Sequence, residues 1–301
     1  MRWIYRRLII TFFTIFVASS IIFFLIRNMP PYSFSPLPLH EQYFMYITRT
    51  FRGDLGRSRR FAGIPVIEIA CRSLPWTIFT VSTGFLASFI AGMVLGIIAA
   101  YKRGSPLDTL ISIISTIDAA IPNYLFALIL LVLFAGMINL FPGFGAYDAD
   151  KVTPGLNILF ILNVLHHAAL PILSYFIASF GSWALYMRSN TISVLREEYV
   201  FAAKARGLRD SRIAWKYVGR NAMLPLFTLM AINLGYVFGG STLIEFVFSY
   251  PGIGYYISRG VSTRDYPLMQ GLFFVLTVAV TASNFMADLI YSRLDPRVRF
   301  E

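Results

Sequence analysis

Long apolar stretches alternate along this chain with shorter polar, mostly basic ones. A stretch free of Lys, Arg, Asp and Glu that can cross about 30 Å of hydrocarbon at 1.5 Å per residue meets the length requirement for a membrane-spanning helix. Six stretches do so: residues 8–26, 76–100, 119–141, 168–187, 222–244 and 267–287. A seventh uncharged run, 152–167, contains Pro154, Gly155, His166 and His167 and leaves an apolar piece at 156–165 that is too short to span. That piece is predicted to be an interfacial or re-entrant helix. The first run follows Arg2, Arg6 and Arg7 as a signal peptide would, but its 19 residues and the Arg27 stop read as a retained helix. Asp118 is read as the N-cap of the third span, with Pro122 tolerated near its first turn.

Composition excludes a soluble domain: 57% of residues are hydrophobic, 14% are charged, and the mean hydropathy is +0.65. The single cysteine, Cys71, excludes an internal disulfide or a multi-cysteine metal site. The net charge of +11 reports orientation before it reports an acidic partner or nucleic acid. With six spans both termini lie on one side. The termini and the second and fourth loops carry 16 Lys and Arg against 10 in the other three, seven of those in the long first loop. Long loops translocate with less regard for charge, so the termini are placed in the cytoplasm. The expected fold is an all-α integral membrane protein of six transmembrane helices.

No ionisable residue falls within the six spans, whereas ion-coupled transporters and pumps ordinarily bury one. There is also no G-x-x-x-x-G-K-[ST] loop to cradle nucleotide phosphates, so uphill transport would need its energy from another polypeptide. An ion-coupled secondary transporter or channel is the alternative, and the uncharged spans count against it. An intramembrane enzyme fares no better, because His40, His166 and His167 lie outside the spans and no Ser/Lys or Asp/Asp pair lies within them. Adjacent on a helix, His166 and His167 point apart and do not suit one metal. Gly92 with Gly96, and Gly235 with Gly239, form small-xxx-small pairs that let helix backbones approach closely. Asn123, Asn139, Asn233, Gln270 and Asn284 are read as interhelical hydrogen bonders.

The fourth loop, from 188 to 225, carries the sharpest local signal. Glu197 and Glu198 suit a helix N-terminus, Lys204 and Arg206 a C-terminus, and Gly207 a C′ position, which predicts a short helix over 196–206. Tyr199, Ala202, Ala203 and Arg206 fall at i, i+3, i+4 and i+7, a face whose two alanines leave room for insertion into another protein. Asp210 or Ser211 is expected to cap a second, basic helix bearing Ile213, Trp215, Tyr217 and Val218, which leads through Leu224 and Pro225 into the fifth span.

This loop, with EYVFAAKARGL and RNAMLP, resembles the cytoplasmic EAA loop of permease subunits of binding-protein-dependent ABC importers. Phe201 in place of the usual Glu and a longer spacer from Gly207 to Leu224-Pro225 are similar to the dipeptide, oligopeptide and nickel subgroup, in its first or B-type permease. GDLGRS (53–58), SLPWT (73–77), IPNYLFALIL (121–130), FPGFG (141–145), EFVFSYPGIG (245–254), RDYPLMQG (264–271) and LDPRVR (294–299) resemble the same subgroup in order. Two departures stand out: Met29-Pro30-Pro31 replaces the usual Pro-Gly-Asp-Pro, and the first loop is rich in arginine at 49, 52, 57, 59, 60 and 72.

The resemblance implies an N-terminal helix plus long extracytoplasmic loop at 1–73, a type-1 ABC permease core of spans two to six at 74–292, and a cytoplasmic tail at 293–301. It implies a multi-pass protein of the cytoplasmic membrane that is not an enzyme and lines half of a pathway. The implied partners are a second homologous permease, two ATP-binding cassette ATPases that carry ATP and Mg, an extracytoplasmic substrate-binding protein and the lipid membrane. No cofactor, metal or nucleic acid is expected on this chain, and the implied cargo is peptide, then oligosaccharide, or nickel. Coupling to the ATPase is assigned to Glu198, Tyr199, Ala202, Ala203, Arg206 and Gly207. An outer gate is assigned to Glu245, Phe248, Pro251, Gly252 and Gly254. Aromatics of that gate are expected at the headgroup level, and Glu245 is a candidate partner for Arg259 or Arg264.

Overall fold

Apolar sequence in hydrocarbon must satisfy its backbone polar groups internally, and the six runs are predominantly helical, the third being broken at Ile121 and Pro122. A computed structural model of the protein describes residues 2–29 and 37–294 and leaves out several side chains, most of them between 228 and 241. The second Gly pair, Gly235 and Gly239, the segment after Met29 and the tail motif beyond Leu294 therefore lie outside what is described. Four described helices are long and apolar enough to cross a membrane, and a bent pair adds a fifth element of that kind.

The helices are α1 (Arg2–Arg27), α2 (Leu39–Phe51), α3 (Val66–Tyr101), α4 (Pro106–Ala120), α5 (Asn123–Leu130, continued as a π-helical turn Leu131–Met137) and α6 (Ile158–Val194). They continue as α7 (Glu198–Ala205), α8 (Asp210–Arg212, followed by a π-helical stretch Ile213–Gly219), α9 (Arg220–Ala222), α10 (Leu224–Val247), α11 (Ile253–Thr263) and α12 (Tyr266–Leu294). An isolated bridge between Arg57 and Pro65 is the β-type pairing seen among the described residues.

Three expectations are corrected. The piece at 156–165 is no separate helix: Asn157 caps α6 by accepting from Phe160 N at 2.7 Å, and the helix then runs unbroken through His166, His167 and Pro171 to Val194. Second, Asp118 is not an N-cap but lies near the C-terminal end of α4. Ile121, extended at ψ 131° ahead of Pro122, breaks the helix, and α4 and α5 meet at a bend of 102°. Third, α3 starts ten residues before the predicted span, with Pro75 inside it.

The chain divides into two units, Met1–Phe79 with Leu234–Glu301, and Thr80–Asn233. In the first, α1 and α11 both pack on α12, and Arg7 of α1 pairs with Asp288 of α12 at 3.0 Å. Its core joins Leu55, Val66 and Ile69 to Ile253, Ile257 and Leu272. A Cβ on Gly271 would stand 2.7 Å from Val66 and 3.0 Å from Leu55, so glycine is what lets α12 approach the segment 55–66.

In the second unit, α4 and α5 pack against α6. α3 approaches α6 along three glycines. A Cβ on Gly84 or Gly92 would lie 2.5 Å from that of Tyr175 or Trp183, and on Gly96 2.7 Å from that of Met187. Gly92 and Gly96 thus form the close helix contact that their spacing predicts, and Trp183 fills the flank between the edges of Phe85 and Phe89.

Candidate functional site

The first candidate is built on α7, which is too short to be stable alone and is held by its buried face. Val200 and Ala203 are buried against Ile213 and Val218, with Tyr101, Val194 and Leu208 around them. The helix ends as its sequence predicts. Gly207 adopts φ +70°, its N–H donates to Lys204 O at 2.9 Å, and Leu208 N donates to Ala203 O at 3.4 Å, the paired bonds of a Schellman turn. It starts two residues later than the predicted Arg196, with Glu197 at the cap and Glu198 as the first helical residue.

Side-chain placement divides the predicted docking residues. Glu198, Tyr199, Ala202 and Arg206 are exposed, as is Phe201, while Ala203 turns inward and anchors the helix instead of presenting it. One alanine, not two, therefore faces outward among those assigned. Asn221 was not singled out from the sequence, yet its side chain donates to Tyr199 Oη at 2.9 Å and to Tyr217 O at 2.8 Å. It joins the RNAMLP segment to α7. The second helix forms, but neither Asp210 nor Ser211 caps it: Arg209 is at the cap, and Ile213 and Val218 are buried while Trp215 is exposed.

The second candidate is a folded corner between α10 and α11. Ser249, at φ +45°, closes α10 with the same paired bonds, Ser249 N to Phe246 O at 3.1 Å and Tyr250 N to Glu245 O at 2.8 Å. The chain turns through Pro251, and Gly252 takes the cap position of α11. The first amides of α11 are then satisfied from elsewhere. Thr77 Oγ1 accepts from Ile253 N at 2.8 Å, and Glu245 Oε2 accepts from Gly254 N at 2.7 Å and Tyr255 N at 3.4 Å. A carboxylate suits that end of a helix, where the backbone dipole is positive.

Of the three aromatics of this corner, Phe246 is exposed and the other two are packed inside the protein. Phe248 and Tyr250 are enclosed, Trp76 meets Tyr250 edge-on at 5.8 Å, and Glu245 is wholly buried. Burial, and then the nearby Glu245 carboxylate, push the Tyr250 phenol up. Glu245 makes no ion pair with Arg259 or Arg264, both of which are exposed; it is spent on α11. Gly252 and Gly254 are required because a Cβ on either would collide with the Glu245 carboxylate.

A second buried acid organises the neighbouring segment. Asp265 precedes α12, accepts from Leu268 N at 3.3 Å, and also receives Ser58 Oγ at 2.5 Å and Arg60 N at 3.0 Å. GDLGRS and RDYPLMQG, far apart in sequence, are thereby one structure. An acid followed two residues later by proline is a helix-start signal that would have pointed to Asp265.

Comparison with known proteins decides what the corner and the loop belong to. Residues 92–300 match the family described as binding-protein-dependent transport system inner membrane component. The chain belongs to this family. It is similar to the oligopeptide transport system permease protein AppB of Bacillus subtilis, 30% identical over 263 residues covering 87% of this chain and 81% of the relative. It is 34% identical over 268 residues to the inner membrane ABC transporter permease protein YejB of Escherichia coli O157:H7, covering 88% and 73%. To the probable D,D-dipeptide transport system permease protein DdpB of Escherichia coli K12 it is 31% identical over 275 residues, covering 87% and 80%. The protein is thus a multi-pass membrane permease of a binding-protein-dependent importer, with the all-helical fold expected from its sequence. Among the described residues no group of three or more His, Cys, Asp or Glu is placed to hold a metal ion.

Proposed function

We propose that this permease forms half of a peptide pathway and takes its energy from a separate ATPase through α7. The observation that carries the reading is the construction of α7: a short helix fixed from behind by Val200 and Ala203, closed by Gly207, and presenting Tyr199, Phe201, Ala202 and Arg206 outward. A helix so anchored moves with α6 and its neighbours when a partner pushes it, and so passes the partner's state into the membrane. Nucleotide bound by the ATPase shifts the permease between two states by binding better to one of them. The second permease, the two ATPases and the extracytoplasmic binding protein complete the importer. Peptide cargo is supported by the names of the relatives, AppB and DdpB among them.

Cross-linking tests the coupling role. With the exposed Cys71 replaced by Ser, cysteine placed at the outward Ala202 is expected to cross-link to an ATPase subunit in the purified complex, whereas cysteine at the inward Ala203 is not. ATP-dependent uptake of labelled peptide into proteoliposomes is expected from the same preparation. No cross-link from Ala202, or equal cross-linking from both positions, removes α7 as the coupling element.

A further inference from the structure

The first extracytoplasmic loop runs against the usual charge asymmetry of membrane proteins, since seven of its residues are basic. A loop of this length translocates with less regard for its charge, which leaves its basic residues available for a use on the outer side. The structure shows how they are held. Leu55 is buried in the core, Val66 N donates to Gly56 O at 2.9 Å, and Ser58 N donates to Ile64 O at 3.0 Å. Asp265 grips Ser58 and Arg60 N, and the Phe61 ring meets Tyr256 of α11 at 5.4 Å.

Arg57, Arg59 and Arg60 therefore sit exposed on a loop fixed at both ends, and Arg57 Nη1 adds to its bracing by donating to Gly63 O at 3.0 Å. Asp265 brings its own neighbour Arg264 to the same place, and the Phe61–Tyr256 contact brings Arg259, one turn along α11. All five are exposed, and among the described residues none has an acid within ion-pair distance. The nearby acids are already engaged: Asp265 is buried, Glu68 pairs with Arg72 at 2.5 Å, and Asp54 accepts from Gly56 N at 3.0 Å.

We infer that this stapled arginine cluster is a docking surface for an acidic face of an extracytoplasmic protein. The inference rests on the importer reading, in which that protein is the substrate-binding protein. A fixed frame lowers the ordering cost of each arginine contact, and clustered charge of one sign steers an oppositely charged partner. Composition favours a protein over lipid. Surfaces that insert at a bilayer interleave basic with many exposed apolar residues, whereas beside these arginines Leu55 is buried, Phe61 packs on Tyr256, and Val261 is the large apolar residue left exposed. Anionic lipid attraction also belongs chiefly to the cytoplasmic leaflet.

The test uses the whole complex, purified with its ATPases and placed in nanodiscs of phosphatidylcholine alone. The probe is the binding protein recovered with the wild-type complex, expressed separately. Wild type is expected to bind it with an affinity that falls about tenfold or more between low and high salt. Replacing Arg57, Arg59 and Arg60 together by Glu is expected to weaken binding at low salt by a similar factor, and replacing them by Lys by only a few-fold. Unchanged nucleotide hydrolysis and a monodisperse elution profile show that the variant complex is intact. Reversing acidic residues on the binding protein is expected to restore binding to the Glu variant. Salt-independent binding, or equal binding by the Glu variant, overturns the inference. So does a variant that keeps the binding protein but loses retention on vesicles containing phosphatidylglycerol, which assigns the arginines to lipid. Failure of the importer reading shows separately, as wild-type complex without ATP-dependent uptake.

Discussion

Arg188 Nε and Nη2 each donate to one carboxylate oxygen of Asp108, at 2.6 and 2.9 Å, joining the C-terminal half of α6 to the first turn of α4. The fork fits a carboxylate bidentately, and Gly104 N adds a third donor at 3.0 Å. Asp108 is almost fully enclosed and depends on these donors, so their loss strands a buried charge. Arg188→Ala is expected to cost about 3 kcal/mol, and Arg188→Lys less but measurably, because an ammonium cannot reproduce the planar fork. Thermal midpoints of the detergent-solubilised protein check both, and the order Ala below Lys below wild type is the required result.

At the other end of α4, Asp118 Oδ2 accepts from Gly181 N at 2.5 Å, and a Cβ on Gly181 would stand 2.5 Å from both that oxygen and Ser115 O. Ser115 O is helix backbone, and the Asp118 side chain is held by its bond to Gly181 N, so neither gives way easily. Gly181→Ala is therefore expected to force α4 from α6 at a cost of about 1–3 kcal/mol. Gly136 offers the control, since its added Cβ would meet nothing nearer than Leu131 O at 3.8 Å. Fluorescence-detected size exclusion after heating should show Gly181→Ala unfolding well below Gly136→Ala.

What could be read from the sequence in these regions was local, and what could not was distant. The end of α7 was legible because Gly207 and the charges before it lie within one turn. The close approach of α3 to α6 was legible in Gly92 and Gly96, though the spacing did not name Trp183 and Met187 as the partners. Arg188 and Asp108 are 80 residues apart, and Ser58 and Asp265 are 207 apart, so no periodicity joins them. The break before Pro122 was present in the sequence, since a residue ahead of proline leaves the helical region. Hydropathy masked it by running on across the bend. The extension of α6 was hidden differently: the uncharged run was divided at His166 and His167, although the charge-free stretch continues through them, and in the helix His167 bonds Asn163 O at 2.9 Å while His166 bonds Leu140 O at 3.1 Å.

Glu245 supplies an acceptor to two amides of α11, the Gly254 one buried and the Tyr255 one part-buried, so its removal differs in kind from loss of a surface charge. Glu245→Ala leaves Gly254 N and Tyr255 N unsatisfied, at about 1–3 kcal/mol for each buried donor without a partner. Glu245→Gln keeps an oxygen for those donors and loses the charge-assisted part, so a smaller fall is expected. Gly252→Ala retains the carboxylate but drives a methyl into it, and is expected to resemble Glu245→Ala. Thermal midpoints of the three variants measure this; a Gln variant as unstable as Ala would show that charge, not hydrogen bonding, holds the corner.

At Gly207 the conformational and steric contributions separate cleanly. Its φ of +70° excludes most side chains, yet a Cβ there would meet nothing within 4 Å. Any penalty on substitution is therefore one of backbone geometry. Gly207→Asn is expected to be nearly neutral, because asparagine tolerates the left-handed region, while Gly207→Ala is expected to cost about 1 kcal/mol and the β-branched Gly207→Val more. The damage should be local, loosening Leu208 from Ala203 and so the seat of α7 on Ile213 and Val218, without unfolding the spans. In the reconstituted importer this predicts a fall in peptide taken up per ATP hydrolysed in the order Asn, Ala, Val, at nearly constant thermal midpoint. If Val instead lowered the midpoint and left the transport ratio of the surviving protein unchanged, Gly207 would serve folding alone, and α7 would need no rigid end to do its work.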